Sequence, residues 1–202
     1  MGWGFFLFLG SLMSTITDEL SAVNIMLGVI GESPINSLAS ISGVSDAVTA
    51  RQVLNEISTT VQSEGWAFNT EKNWAFLPDS TGTLVLPSNI LQVDPVDSSL
   101  SVQHRGTRLY DLKNHTFTFT ESIKLNCILL FDFNDLPQAA RYYIAVRSAR
   151  VFQARTVGSD TLNGFTKQDE SLARVAVKNF DTSTGGYNML TGSYSVAKTL
   201  AR

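Results

Sequence analysis

Cysteine and charged residues are scarce in this chain, and each shortage excludes some classes of protein. Cys127 is the only cysteine among 202 residues, so an intrachain disulfide is impossible and an oxidising compartment is not required. Because Cys127 lies in an apolar run, we expect a buried, inert thiol rather than a nucleophile. Charged residues make up 16% of the chain, which is low for a freely soluble monomer and hints that neighbouring molecules cover part of the surface.

The sequence also lacks the short motifs of nucleotide, serine-hydrolase and zinc sites. It contains no G-x-x-x-x-G-K-[ST], no G-x-G-x-x-G and no G-x-S-x-G. His104 and His115 are isolated, with no H-x-x-x-H or C-x-x-C pattern beside them. The net charge of −3 gives no general attraction to nucleic acid or anionic membrane. We therefore predict no catalytic residue, no cofactor and no metal.

The stretch from Ser45 to Phe68 has the clearest pattern in the chain. Small and apolar residues recur every three or four positions and line one face of a helix. They are Ala47, Ala50, Leu54, Ile57 and Val61. Gly65 supplies the helix end, and Trp66 and Phe68 follow on one side of a predicted extended segment. We predict that this helix is the spine of a helical bundle.

Two further helices are predicted from their ends. A first helix runs from a cap at Thr17 or Asp18 to a stop at Gly31. Gly28 lowers the helix propensity and is expected to mark a close crossing with another helix. A third helix is predicted over residues 137–156, because proline suits a first helical turn.

A fourth helix is predicted over roughly residues 166–180. Asp169 and Glu170 lie in its predicted first turn, where the helix dipole favours acidic side chains. Its apolar residues are Leu172, Val175, Ala176 and Phe180. The tail that follows is rich in Gly, Ser and Thr but too apolar for a free linker. We predict that it is an arm that orders against another surface.

Between the helical segments the pattern changes to short β-branched and aromatic runs bounded by Pro, Gly, Asn or Asp. Such runs are typical of antiparallel strands joined by tight turns. They occupy residues 74–77, 83–86, 90–93, 100–103, 108–110, 116–120 and 123–131. The run at 116–120 alternates Thr and Phe, so one buried face is expected.

The predicted fold is α+β: a four-helix bundle made from two helical hairpins, with an inserted antiparallel β-sheet region and an extended C-terminal arm. Residues 1–202 form one domain. Its parts are a helical part at about 17–68 and 137–182, a β insert at about 73–133, and the arm at about 183–202.

The first residues, MGWGFFLFLGSLM, stand apart because they carry no charged side chain. The apolar run is too short to span a membrane, and it lacks the basic start of a signal peptide. Two interpretations are open. Either Met13 is the natural start, or the segment docks its aromatic residues on a neighbouring subunit.

Two pairs of carboxylates are the candidates for catalysis: Asp94 with Asp97, and Asp132 with Asp135. A glycoside hydrolase needs two such groups on either side of a bound sugar. Both pairs lie in sequences typical of turns, where aspartate bonds the local backbone, and that role is favoured.

The third predicted helix has several basic residues and no acidic residue among them. They are Arg141, Arg147, Arg150 and Arg155. Such a helix can face solvent, an acidic partner or phosphate. A solvated or subunit-contact face is favoured over direct contact with DNA.

Four segments together resemble the tail tubular protein A family, the head-to-tail adaptors or gatekeepers of short-tailed bacteriophages. The segments are LSAVNIMLGVIGESPINSL, ARQVLNEISTTVQSEGWAFN, LPQAARYYIAVRSARVFQARTVGS and GGYNML. The resemblance runs in order from about Leu20 to Leu190 and is looser in the β region. Its most specific pieces are EGWAFN at 64–69 and GGYNML at 185–190.

The resemblance implies a structural virion protein that forms an adaptor ring, usually of twelve copies, between the capsid portal and the tail nozzle. The implied partners are further copies of the chain, the portal protein, the nozzle protein (tail tubular protein B) and tail fibres. Genomic DNA would pass through the lumen without specific binding. The helical part would form the ring wall and touch the portal, and the β insert would face the nozzle. The implied location is the virion tail, assembled in the host cytoplasm.

One stretch is the candidate for subunit or portal contact, although it can equally cap its own bundle. It comprises Gly185, Gly186, Tyr187, Asn188, Met189 and Leu190. Two alternative functions remain: a glycan hydrolase acting on host-surface polysaccharide through an acidic pair, and a nucleic-acid-binding module using the arginine-bearing helix. We favour the adaptor, because it alone explains the helix pattern, the apolar tail and the missing motifs together.

Overall fold

The computed structural model describes residues 17–39, 41, 45–158 and 160–184. Within these ranges the chain forms four α-helices, which are α1 (Glu19–Val29), α2 (Ser45–Gln62), α3 (Gln138–Thr156) and α4 (Asp160–Thr184). The strands are β1 (Thr70–Phe76), β2 (Ile90–Pro95), β3 (Val102–Arg105), β4 (Arg108–Asp111) and β5 (Ile123–Leu129). The prediction of an α+β fold is confirmed.

The predicted ends of the first two helices are confirmed by their caps. The Asp18 carboxylate accepts a hydrogen bond from the Ser21 backbone N–H at 2.7 Å, which satisfies a free donor at the start of α1. Hydrogen bonding from the Ser21 side chain, and next from the Ser21 backbone N–H, lowers the pKa of Asp18. Gly31 (φ +83°) follows α1 and Gly65 (φ +74°) follows α2, each in the left-handed conformation that ends a helix.

The central helix is α3, and the prediction that α2 is the spine is wrong. α3 packs against α1, α2 and α4, whereas α2 packs mainly on α1 and α3. The reason is that α3 buries residues around much of its circumference. They are Ala140, Tyr143, Ile144, Ala145, Ser148, Ala149, Phe152 and Gln153. A helix with apolar or neutral residues on several sides can contact several neighbours at once.

Gly28 does not lie at a helix crossing within the described chain, contrary to the prediction. It is exposed, and a Cβ atom added there would meet nothing within 4 Å. α1 instead packs on its neighbours through the opposite face. That face consists of Ala22, Val23, Met26 and Leu27.

α4 is longer than the predicted span of residues 166–180. It extends over Asp160–Thr184, so Asp169 and Glu170 lie mid-helix rather than in the first turn. Gly164 lies within α4 and does not end it, because one glycine costs a helix only about 1 kcal/mol relative to alanine.

The face that α4 buries also differs from the prediction. Ala173 and Val177 are buried, while Leu172 and Val175 are 64% and 55% exposed and Ala176 is exposed as well. Leu172 and Val175 therefore point away from the described core, while Val177 points into it.

The β region contains a three-stranded antiparallel sheet in the order β1–β5–β2 and the hairpin β3–β4. It has its own hydrophobic core, and Phe131 contacts both this core and the helical one.

The runs at 83–86 and 116–120 are not strands. They form isolated bridges, Thr83 with Thr118, Val85 with Arg108, and Asp111 with Thr116. Phe119 is buried but Phe117 is half-buried, so the expected alternation holds only in part.

Gly82 lies in the turn before residues 83–86, and replacing it by alanine should destabilise the protein. Its φ is +80°, and an added Cβ would lie 2.6 Å from Thr118 Cγ2 and 3.1 Å from the Phe119 carbonyl oxygen. We expect Gly82→Ala to lower the free energy of unfolding by about 2–3 kcal/mol, because the left-handed strain and the clash with backbone add. Urea denaturation measures the change.

The control for Gly82→Ala is Gly106→Ala. Gly106 is also left-handed, at φ +62°, but an added Cβ there would meet nothing within 4 Å. The control should lose only about 1 kcal/mol. Equal losses in the two variants would contradict the assigned clash.

Candidate functional site

The EGWAFN segment at 64–69 forms the joint between the helical part and the sheet. Residues Ala67–Asn69 form a 3₁₀ turn instead of the predicted extended segment. The Trp66 and Phe68 rings nevertheless stack, with centroids 6.3 Å apart. The turn replaces extended backbone because the Asn69 side chain accepts a hydrogen bond from the Trp66 backbone N–H at 2.8 Å.

Asn69 and Trp66 satisfy buried backbone carbonyls at this joint. The Asn69 side-chain amide donates to the carbonyls of Gln62 and Leu129, both at 2.8 Å. The indole N–H of Trp66 donates to the Val61 carbonyl at 2.7 Å, in the last turn of α2, and the Glu64 N–H donates to the same carbonyl at 3.2 Å. The Asn69 side chain thus links α2, the 3₁₀ turn and β5.

Gln62 provides a second link between α2 and the sheet. Its side chain is fully buried, accepts from the Phe131 N–H at 2.8 Å and donates to the Phe131 carbonyl at 3.0 Å. The same amide donates to the Ser58 hydroxyl at 3.0 Å. The two bonds to Phe131 resemble those that a neighbouring strand would make, just beyond the end of β5.

Glu64 links α2 to the other helices at the same end. Its carboxylate forms ion pairs with Arg147 of α3 at 3.3 Å and Arg174 of α4 at 2.9 Å. Both arginines also donate to the buried Tyr143 hydroxyl, at 3.1 and 2.8 Å. The conspicuous residues of the segment therefore hold the chain together, and Glu64, Gly65 and Trp66 also line a cleft of about 310 Å³ beside α4.

Most arginines of α3 pair within the chain and do not form a free basic face, and the subunit-contact interpretation stays a prediction. Arg147 and Arg150 pair with Glu170 of α4, and Arg155 makes two 2.8 Å bonds to Glu56 of α2. Their charges are matched by carboxylates from neighbouring helices. The alternative of a nucleic-acid module loses the basic surface on which it depended.

The acidic pairs behave only in part as the predicted turn residues. Asp97 accepts a hydrogen bond from the Ser99 N–H at 2.8 Å, which lowers the pKa of Asp97. The Asp132 backbone carbonyl accepts from the Asp135 N–H at 2.9 Å, which closes a 3₁₀ turn. The turn interpretation is therefore confirmed for Asp97, whereas Asp94 lies on β2 and the Asp132 side chain makes no cap bond.

One cleft of about 560 Å³ contains Asp97 and Asp111 together, between the sheet and the hairpin. A glycoside hydrolase needs one carboxyl group with a raised pKa, because that group must be protonated to act as the acid. The pKa values of both aspartates are lowered by backbone hydrogen bonds. These two groups therefore lack the property that the general acid requires.

Asp111 supplies a prediction about pH. Its carboxylate accepts from the Asn114 N–H at 3.0 Å, the Asn114 side chain at 2.8 Å and the Lys113 N–H at 2.8 Å, and its pKa is lowered, chiefly by the Asn114 N–H. The stabilisation is present above the ordinary aspartate pKa of about 4 and is lost as the pH falls through the lowered value. We expect Asp111→Asn to destabilise the protein at neutral pH and to match the wild type more closely in acid.

Urea denaturation of the wild type and of Asp111→Asn, at neutral and at acidic pH, measures the difference in stability between the two proteins. A stability gap of the same size at neutral and acidic pH would contradict the role of the ionised carboxylate.

The remaining reactive side chains are placed as follows. Cys127 is buried, and burial raises the pKa of its thiol to about 11, which confirms the expected inert thiol. His104 is half-buried on β3, and His115 is exposed at a turn with φ +55°. In the ranges that the structure describes, no three His, Cys, Asp or Glu side chains form a metal-binding group. No helix in those ranges is long and apolar enough to cross a membrane.

The predicted contact at Gly185–Leu190 lies outside the described residues, as do residues 1–16. The outer face of α4, which the structure does describe, was not predicted from the sequence. We define it as eight exposed, uncharged residues on one side of the helix. They are Gln168, Ser171, Leu172, Val175, Ala176, Asn179, Thr182 and Ser183.

Three charged residues of α4 pair with groups of the same chain, while Lys167, Asp169 and Lys178 are exposed. Glu170 pairs with Arg147 and Arg150, and Arg174 pairs with Glu64. The Asp181 carboxylate accepts from a backbone N–H of the 3₁₀ turn. The outer face of α4 is consequently an uncharged strip with apolar residues at its centre and polar residues around them. That composition is typical of the core and rim of a protein interface.

α1 presents a smaller uncharged surface, the outer face of α1, formed by Ser21, Ile25 and Gly28. Ile25 is 39% exposed. α1 and α4 each pack on α3 but make no extensive contact with each other in the described chain. The molecule thus has two different uncharged helical faces.

These features define a class of protein: a structural subunit whose polar groups hold its own chain together and whose uncharged faces are turned outward. The family model described as Tail tubular protein matches residues 20–187. The chain is also 30% identical to the Tail tubular protein A of Klebsiella phage KP34 over 146 residues, which are 71% of this chain and 75% of that protein. The chain belongs to the tail tubular protein family and is a structural component of a bacteriophage tail.

Proposed function

We propose that the protein forms the adaptor ring between the capsid portal and the tail nozzle, with twelve copies in the ring. The ring extends the DNA conduit during tail assembly and genome ejection, and the protein performs no catalysis. The observation that carries this proposal is the family match over residues 20–187, which includes all four helices and the β region.

The outer face of α4 supports self-assembly. Exposed Leu172 and Val175 gain free energy when covered, roughly 25 cal/mol for each Å² of apolar surface. A second copy fits this face because neither the outer face of α4 nor that of α1 carries a charge to be desolvated. Two different faces that meet between neighbouring copies form a heterologous contact, which closes into a ring when the rotation from copy to copy adds up to a full turn.

The charges of the chain suit a conduit that does not hold DNA. The net charge is −3, and the arginines at 147, 150, 155 and 174 pair with carboxylates of the same chain. Tight binding would need free cations to displace the counterions of the phosphates. We propose that DNA passes through the ring without specific contacts.

The proposed contacts with other virion proteins follow the two parts of the fold. The helical part contacts the portal, and Gly185–Leu190 remain the proposed subunit or portal contact, directly after α4. The β region faces the nozzle protein, and tail fibres are a further proposed neighbour.

The mass of the purified protein, alone and mixed with the portal of its phage, tests the proposal. Light scattering or native mass spectrometry should give a particle of twelve subunits, either alone or when portal is present. A monomer that stays monomeric in the presence of portal would overturn the adaptor ring.

A further inference from the structure

Two arginines at the end of the β3–β4 hairpin stack on aromatic rings. Arg105 and Arg108 lie opposite each other across a two-residue turn. The Arg105 guanidinium lies 3.6 Å from the Tyr110 ring centroid, and that of Arg108 lies 4.4 Å from the Phe117 centroid. The two rings meet edge to face, with centroids 4.8 Å apart. The four side chains form one continuous surface.

This surface carries positive charge without a matching carboxylate in the described chain. The five arginines that form the ion pairs of the helical part all bond glutamates; they are Arg51, Arg147, Arg150, Arg155 and Arg174. Arg105 and Arg108 form no ion pair among the described residues. Like charges that lie directly opposite each other on paired strands repel. An anionic group placed between the two guanidinium groups would relieve that repulsion.

The surroundings of the two arginines are those of a protein-binding surface. Val85 pairs with Arg108 through a β-bridge and is 58% exposed. We call the set Arg105, Arg108, Tyr110, Phe117 and Val85 the arginine–aromatic face. Arginine and tyrosine beside exposed aliphatic groups are the residue types that carry most of the affinity in protein interfaces.

We propose that the arginine–aromatic face binds carboxylates on an acidic surface of a partner protein. Stacking on the rings holds each guanidinium plane, so its N–H edge remains available for a two-point bond to a carboxylate. The proposal rests on the proposed function, because it assigns this face to the nozzle protein that the β region meets.

The geometry favours a protein over a nucleic acid. Single-stranded nucleic acids bind by stacking bases on exposed aromatic faces. Here the guanidinium groups of Arg105 and Arg108 already lie over Tyr110 and Phe117. Two cations are also too few to follow a phosphate backbone with useful affinity.

The test measures the affinity of the assembled protein for the purified nozzle protein of the same phage. We expect the double variant Arg105→Gln with Arg108→Gln to bind at least about tenfold more weakly, as for the loss of interface hot spots. The matched control is Lys167→Gln with Lys178→Gln, which removes the same charge from exposed positions of α4. The control should bind like the wild type, and both variants should unfold at temperatures near the wild-type value.

Four results would overturn the assignment. Equal weakening in the two double variants would assign the effect to net charge. An unchanged affinity of the arginine variant would show that the face is not used. A smaller ring in the arginine variant would assign the face to contacts between copies, and a selective loss of binding to a short DNA duplex would assign it to nucleic acid. A wild-type ring that does not bind the nozzle protein would overturn the proposed function as well. A wild-type ring that binds it, together with an arginine variant that binds equally well, would overturn only the role of the arginine–aromatic face.

Discussion

Asn69→Asp is expected to lower the free energy of unfolding by about 3–5 kcal/mol, the range for an unpaired charge in a buried network. Asn69 is 1% exposed, and its amide donates to the carbonyls of Gln62 and Leu129. Aspartate presents oxygen atoms to both carbonyls, so two hydrogen bonds become repulsions. The joint between the helical part and the sheet would lose its central link, which is measurable by urea denaturation.

The control for this variant is Asn69→Ala, which removes the hydrogen bonds without adding a charge. We expect it to lose about 2–3 kcal/mol, because buried donors and acceptors are left unpaired. Lowering the pH should protonate the introduced carboxyl group and bring the aspartate variant closer to the alanine one. An aspartate variant as stable as the wild type would contradict the proposed role of the joint.

Leu172→Asp with Val175→Asp is expected to abolish the ring while leaving the subunit folded. Both side chains are more than half exposed in the single chain, so the change should alter subunit stability by less than about 0.5 kcal/mol. In a contact between copies, the same aspartates would be buried without a counter-ion, which costs several kcal/mol for each interface. Native mass spectrometry should detect monomers, and the unfolding temperature of the subunit should be close to that of the wild-type subunit.

The matched control is Gln52→Asp with Asn55→Asp, which adds two charges to the exposed face of α2. It should assemble like the wild type, because this face is not assigned to a contact. Normal rings formed by the α4 variant would contradict the proposed contact between copies through the outer face of α4.

The ends of α1 and α2 could be predicted because they depend on nearby residues. Asp18 caps α1 through a residue three positions away, and Gly65 ends α2 by its own conformation. The segment at 64–69 was recognised as distinctive, but its role needed the structure. Gln62 and Asn69 bond Phe131 and Leu129, which lie more than fifty positions further along the chain.

The face of α4 could not be predicted by assuming that apolar residues point inward. Leu172 and Val175 are exposed because Glu170 and Arg174 point toward α3 and α2, where they find partners. The roles of the α3 arginines were hidden for the same reason. Arg155 pairs with Glu56, 99 positions earlier, and no local pattern records such a partner.

The strand predictions failed where a run pairs with several partners in turn. The segment 83–86 bridges Thr118 at one residue and Arg108 at another, so it forms no continuous ladder. The stacking of Arg108 on Phe117 was equally invisible, since it depends on how the chain returns after the hairpin.

Mixing the purified portal, nozzle protein and this protein tests the adaptor role most directly. Size-exclusion chromatography with light scattering would follow which components elute together. We predict that the nozzle protein joins the portal only when this protein is present, in one complex that contains all three. A nozzle protein that binds the portal equally well without this protein would contradict the account.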